Sequence, residues 1–240
     1  MQEVEPAADR SGLMERRGMW KMDRKGNRKL INWLGLTGVI AFLSYLAAVV
    51  FSPMAYPGYN WMAQAVSDLS AESAPSRMLW NQLAALYGKC SLVSVTCVSV
   101  FVSEKMISTR LFRIGVYLFA VMNWISGVGY TMFPLVDSGK EIASFQEVMH
   151  MLVTLLVVLL SIISLILLII AGFRKGGLRG IGFLAAAALC MMMVGAIGQG
   201  AAPPRYFGIV ERFSVFAAVG FNAVLGICLF DGFGEAKDQA

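Results

Sequence analysis

The stretch "LINWLGLTGVIAFLSYLAAVVF", Leu30 to Phe51, is 22 residues long and has no charged side chain. As a helix it rises about 1.5 Å per residue, enough to cross a hydrocarbon core of about 30 Å. A basic segment precedes it, as in a cleaved leader. The apolar core of a leader, however, is only about 7–15 residues long. The following "SPMAY" is also a poor cleavage site. The run therefore reads as a retained first span, and that reading sets the count for everything downstream.

Five more apolar runs follow. The spans are predicted at roughly 30–52, 78–103, 111–133, 147–173, 178–201 and 207–230. Their breaks have physical causes. Pro53 and Pro57 end the first and Pro134 the third; Gly176 and Gly177 part the fourth from the fifth, and Pro203 and Pro204 the fifth from the sixth. The composition agrees: 58% of residues are hydrophobic and 15% charged, against about half and a quarter in soluble domains. The expected fold is all-α, a polytopic six-transmembrane-helix bundle with a short amphipathic helix in the first external loop. Residues 1–28 are expected to form a disordered basic cytoplasmic tail, with Met14, Met19 and Met22 as alternative starts. Residues 29–231 form the membrane domain and 232–240 a cytoplasmic C-terminal tail. No internal repeat and no second soluble domain stand out.

Charge orients the bundle. Arg10, Arg16, Arg17, Lys21, Arg24, Lys25, Arg28 and Lys29 precede the first span. Lys105, Arg110 and Arg113 flank the second connection, and Arg174, Lys175 and Arg179 fill the fourth. The other connections offer only Arg77, Lys140, Arg205 and Arg212. Basic loops stay on the cytoplasmic side. Both termini are thus predicted on the cytoplasmic side of the cell membrane, and the first, third and fifth connections on the external side. The net charge of +5 is spent on these flanks, which argues against a nucleic-acid partner and for contact with membrane lipids.

The first connection holds "YPGYNWMAQAVSDLS", Tyr56 to Ser70. Asn60 can cap a helix starting at Trp61. On it Trp61, Met62, Ala65, Val66 and Leu69 share one face, and Gln64, Ser67 and Asp68 the other. This is the pattern of a helix lying in the interface, apolar side down. It serves either as a cover over the bundle or as a lid that holds Ser67 and Asp68 over a cavity.

Inside the spans, ionisable groups are costly and default to function. Lys89, His150 and Glu211 lie near the external ends of three helices, with Asp137, Arg205 and Arg212 just outside. Asn123 and Asn222 sit mid-span. Each has a bland reading: Lys89 snorkels, Glu211 and Arg212 are a helix-start pair, His150 is a packing residue, and the asparagines link helices. Their convergence on one side predicts a shared polar pocket. Its candidate ligand-binding residues are Tyr59, Ser67, Asp68, Lys89, Asn123, Tyr130, Asp137, His150, Gln199, Glu211 and Arg212, with Lys89 and Glu211 neutralising each other. Ser67, His150 and Asp68 (or Asp137) could also supply a nucleophile, base and orienter, though no nucleophile-elbow sequence accompanies them. With one histidine, bis-histidine haem and multi-histidine zinc are excluded. Cys90, Cys97, Cys190 and Cys228 all fall inside apolar runs without metal-ligand spacing. Phosphate loops and dinucleotide turns are missing. Neither a metal nor a cofactor is expected.

"YPGY" followed by "VSDLS", then "FPLVD", His150 and "GIVER" resemble the bacterial and archaeal membrane family called domain of unknown function 998. The likeness covers roughly residues 30–230. It rests on Tyr59, Ser67, Asp68, Leu69, Phe133, Pro134, Asp137, His150, Glu211 and Arg212. It implies about six helices and an integral membrane location, and transfers no catalytic role. The function expected is binding of a lipid or other amphiphile in the external polar pocket. The alternatives are an enzyme acting on a lipid headgroup at the outer face, and a structural or partner-binding membrane subunit.

Overall fold

The computed structural model of the protein describes residues 28–105, 107, 109–136, 144–174 and 178–233. The tail expected over 1–28 (Arg28 apart), Asp137 and most of the C-terminal tail lie outside the described residues. The described chain is helical, with no strand, and six of its segments are long and apolar enough to cross a membrane.

The first span is α1 (Leu30–Gly35) and α2 (Thr37–Phe51), extended by a 3-10 turn over Ser52–Ala55. The second is broken into α3 (Arg77–Leu83) and α4 (Tyr87–Glu104). The others are α5 (Arg110–Met132), α6 (Phe145–Arg174), α7 (Arg179–Ala201) and α8 (Phe207–Phe230), the last preceded by a 3-10 turn at Pro204–Tyr206. Each predicted span is present. Sequence reading missed the break at Ala84–Leu86, which has neither proline nor glycine to announce it.

Consecutive spans pack side by side, and α8 closes the ring against α1, α2 and α4. Half of the sixth span's apolar window is buried but only 28% of the fourth's. α8 is therefore the central helix, and α6 has the more exposed apolar surface. Leu155, Ile197 and Phe183, all more than 60% exposed, would be untenable in water over so wide a surface and suit lipid contact.

Lipid tails are as apolar as leucine, so the hydrophobic effect alone does not press these helices together; close approach and interhelical hydrogen bonds do. Gly35 and Gly226 meet so closely that a Cβ on either would strike the other's carbonyl. Beside them Asn32 Nδ2 donates to the Leu229 carbonyl at 2.7 Å. Arg28 finishes that end, with its guanidinium 3.8 Å above the Phe230 ring and 3.4 Å from Asp231. The apolar core runs through Phe112, Phe119, Leu165, Leu168, Met192 and Leu225. Phe119 meets Phe221 edge-on at 5.3 Å.

The opposite end is crossed by residues 52–76, here called the strap. It differs from the expected amphipathic helix. Asn60 starts a single turn, its side chain accepting from the Met62 amide at 3.1 Å, and a 3-10 turn follows at Ser67–Leu69. Ala65, Val66 and Leu69 face inward as predicted, but Trp61 and Met62 are exposed. Asp68 is turned inward, against the predicted polar face, because its carboxylate accepts the Ala65 amide at 3.1 Å.

Candidate functional site

The strap is held by backbone polar groups that need partners once they leave water. The first turn of α8 supplies many of them. Arg212 Nη1 lies within 2.7 Å of the Trp61 carbonyl, 3.1 Å of the Gln64 carbonyl and 2.7 Å of its own helix's Gly208 carbonyl. Its Nη2 donates to the Tyr59 hydroxyl at 2.7 Å, and that hydroxyl donates to the Ala65 carbonyl at 2.7 Å. Glu211 Oε2 accepts the Val66 amide at 2.7 Å. The Ile209 amide, one of the orphan donors of a helix start, reaches the Met62 carbonyl at 3.2 Å. Adjacent acid and base thus grip opposite polarities of one loop: the carboxylate takes an N–H and the guanidinium takes carbonyls. Gly208 makes room for this. A Cβ there would collide with the Gln64 carbonyl and sit 2.6 Å from the Trp61 carbonyl oxygen.

Burial pushes the Tyr59 phenol from near 10 up to about 12, with Arg212 acting in the opposite direction. Tyr59 is therefore a neutral donor at physiological pH, as its bond to Ala65 requires.

The far half of the strap is held from α5 and α6. The Glu72 and Ser73 amides donate to the Leu135 and Val136 carbonyls at 2.9 and 3.3 Å. That segment is held in turn: the His150 ring Nδ1 lies 2.8 Å from the Phe133 carbonyl, as donor, and Gln146 Nε2 lies 3.0 Å from the Pro134 carbonyl. Tyr130 lies against the His150 ring at 5.0 Å and donates to Thr154 at 3.1 Å. Ser76, which sequence reading passed over, holds the Leu69 carbonyl at 2.8 Å. Nothing in one sequence distinguishes that serine from the many others.

The expected single pocket resolves into separate groups. Tyr59, Asp68, Glu211 and Arg212 do converge: Glu211 and Arg212 fasten the strap from α8, and Tyr59, Asp68 and Ser67 lie on the strap itself. Tyr130 and His150 form a second group. Asn123 belongs to a third, mid-bundle: Asn222 Nδ2 donates to Ser91 Oγ at 2.7 Å, Ser91 donates to Asn123 Oδ1 at 2.9 Å, and Asn123 Nδ2 bonds the Phe119 carbonyl at 2.9 Å. Ser91, also missed, is the bridge between the two predicted asparagines. Lys89 does not reach Glu211. It is exposed on α4, because the stripe Gln82, Lys89, Thr96 faces outward while the small Ser91 and Ser94 face the core. Gln199 is half-buried on α7 and shares no hydrogen bond with these groups among the described residues. Asp137 lies outside them.

Nor is a catalytic triad assembled. The His150 nitrogen that would meet an orienting carboxylate is bonded to a backbone carbonyl. Among the described residues, Ser67 and His150 share no hydrogen bond. No group of three His, Cys, Asp or Glu side chains is placed to hold a metal ion among them.

Two open clefts flank the strap. One, of about 570 Å³, is lined by Ala74, Pro75, Arg77, Met78, Asn81 and Gln82. The other, of about 310 Å³, lies between the end of α2 and the strap, lined by Val49, Val50, Pro53, Tyr59, Trp61 and Arg212. Sequence reading named two members of the second, Tyr59 and Arg212. Its aliphatic wall carries no signal that separates it from any other lipid-facing turn.

Residues 39–227 match the family described as Protein of unknown function (DUF998), and the chain belongs to that family. The match runs from α2 to the last turns of α8, taking in the strap and its fasteners. No curated protein and no solved structure matches the chain.

Proposed function

We propose that this member of the family binds a membrane amphiphile in the cleft between α2 and the strap, at the outer face of the cell membrane. The single observation behind this reading is the composition of that cleft. Val49, Val50 and Pro53 offer an aliphatic wall, and Tyr59, Trp61 and Arg212 a polar, aromatic mouth. An amphiphile needs both, and Trp and Tyr suit the depth at which headgroups lie. The strap end is outermost on the loop-charge argument: Arg174 and Arg179 flank a connection at the other end, whereas the strap end carries scattered Arg77, Arg205 and Arg212.

The test is native mass spectrometry of the full chain purified in mild detergent. Wild type should retain a lipid-sized adduct. Trp61→Ala should lose most of it, because Trp61 lines the cleft while its bond in the fastening is made by the backbone carbonyl. Leu155→Ala, on the exposed face of α6, should keep it. Equal retention in all three would reject the site and favour a structural or partner-binding subunit.

A further inference from the structure

Resting on that reading of the cleft, we propose that the headgroup it accepts is the anionic phosphate of a membrane lipid, received by Arg212. The cleft wall contains one cation and no acid. The nearby carboxylates are engaged elsewhere, Glu211 by the Val66 amide and Asp68 by the Ala65 amide. Glu211 lies near enough to feel the Arg212 charge, yet among the described residues no carboxylate forms an ion pair with that guanidinium. The Trp61 and Gln64 carbonyls of the strap and the Gly208 carbonyl of α8 occupy Nη1, and the Tyr59 hydroxyl takes one bond from Nη2. A guanidinium has five N–H donors in a planar fork. Among the described residues the Nε hydrogen has no acceptor, and Nη2 keeps one of its two hydrogens beyond the bond to Tyr59. Donors of this kind take phosphate oxygens well, because the guanidinium holds them in a planar fork. A partly buried cation with no carboxylate in an ion pair with it favours an anion over a zwitterion. The neighbouring Val49, Val50 and Pro53 distinguish a lipid phosphate from a free one, since inorganic phosphate gains nothing from an aliphatic wall.

The experiment titrates the full chain in mild detergent, by native mass spectrometry, with phosphatidylglycerol and phosphatidylcholine of matched acyl chains. Inorganic phosphate serves as competitor. Wild type should prefer the anionic lipid by roughly fivefold, the upper end for a partly exposed ion pair. Val50 is 55% exposed on the cleft wall. Val50→Glu should abolish the preference, and Met78→Glu, the same charge placed in the other cleft, should keep it. Preference unchanged in Val50→Glu would overturn the placement at this cleft. Equal binding of both lipids by wild type, with retention still sensitive to Trp61→Ala, would overturn the headgroup inference while leaving the amphiphile site standing. No retained lipid at all would overturn both. Displacement of the anionic lipid by millimolar inorganic phosphate would overturn the lipid as its source.

Discussion

Replacing Arg212 with glutamine should release the strap without unfolding the bundle. The substitution removes the fork that bonds the Trp61 and Gln64 carbonyls and the Tyr59 hydroxyl. A hydrogen bond from a charged donor is worth about 1.5–3 kcal/mol, and a stranded buried acceptor costs about 1–3 kcal/mol. Trp61 is exposed, so water can replace its bond. Gln64 is half-buried and Tyr59 partly so, and these two carry most of the loss. A total of about 2–4 kcal/mol follows. The core helices do not depend on these bonds, so the loss should appear as local opening. Hydrogen exchange across Ala65–Leu69 should accelerate by roughly 30- to 1000-fold, at about tenfold per 1.4 kcal/mol. Exchange through α5 and α8 below its first turns should hold. Arg212→Lys should rescue little, because an ammonium cannot present a planar fork to three partners. Strap exchange within threefold of wild type in Arg212→Gln would refute the fastening argument.

Three further outcomes follow from the same contacts. Lys89→Met should change stability by no more than about 0.5 kcal/mol, and its effect should add to that of Glu211→Gln in thermal melts; coupling between the two would restore the buried pair that the structure does not form. His150→Ala should loosen the 133–136 segment by about 1 kcal/mol, read as faster exchange at the Glu72 and Ser73 amides, which are bonded to that segment. Tyr59, neutral up to about 12 when folded against near 10 when free, binds more protons in the closed strap than in the open one. Closure is therefore fully supported below pH 10 and loses that support as pH rises from 10 towards 12. Strap exchange, corrected for its intrinsic pH dependence, should show this weakening in wild type and not in Tyr59→Phe.

The six spans were legible because the bilayer imposes a length and an apolar composition that local sequence must carry, and because Pro53, Pro134, Pro203 and Pro204 mark the ends. The strap was legible as an address, and Tyr59, Asp68, Glu211 and Arg212 as residues that meet there. What they do was not. Periodicity placed Asp68 outward, yet a short-range bond to the Ala65 amide turned it in. The cost of an ionisable group within a span placed Lys89 inward, yet the small side chains of Ser91 and Ser94 on another face allowed closer packing. Charge alone suggested Lys89 as the partner of Glu211, whereas the partner is a backbone amide, which no residue type announces. The same holds for the trio of His150, Ser67 and Asp68. Each is a plausible chemical group in sequence, and in space His150 and Asp68 are committed to main-chain atoms.

The strap is held where its backbone meets the first turn of α8, and a thiol crosslink in native membranes tests that contact most directly. The Met62 carbonyl bonds the Ile209 amide at 3.2 Å, so the two backbones are neighbours. In a background with Cys90, Cys97, Cys190 and Cys228 replaced, Met62→Cys with Ile209→Cys should be joined rapidly and nearly completely by a short bifunctional thiol reagent. Met62→Cys with Gly180→Cys, at the opposite end of the bundle, should not be joined. Failure of the first pair to crosslink while both thiols label freely would contradict a fastened strap, and with it the cleft that the strap encloses.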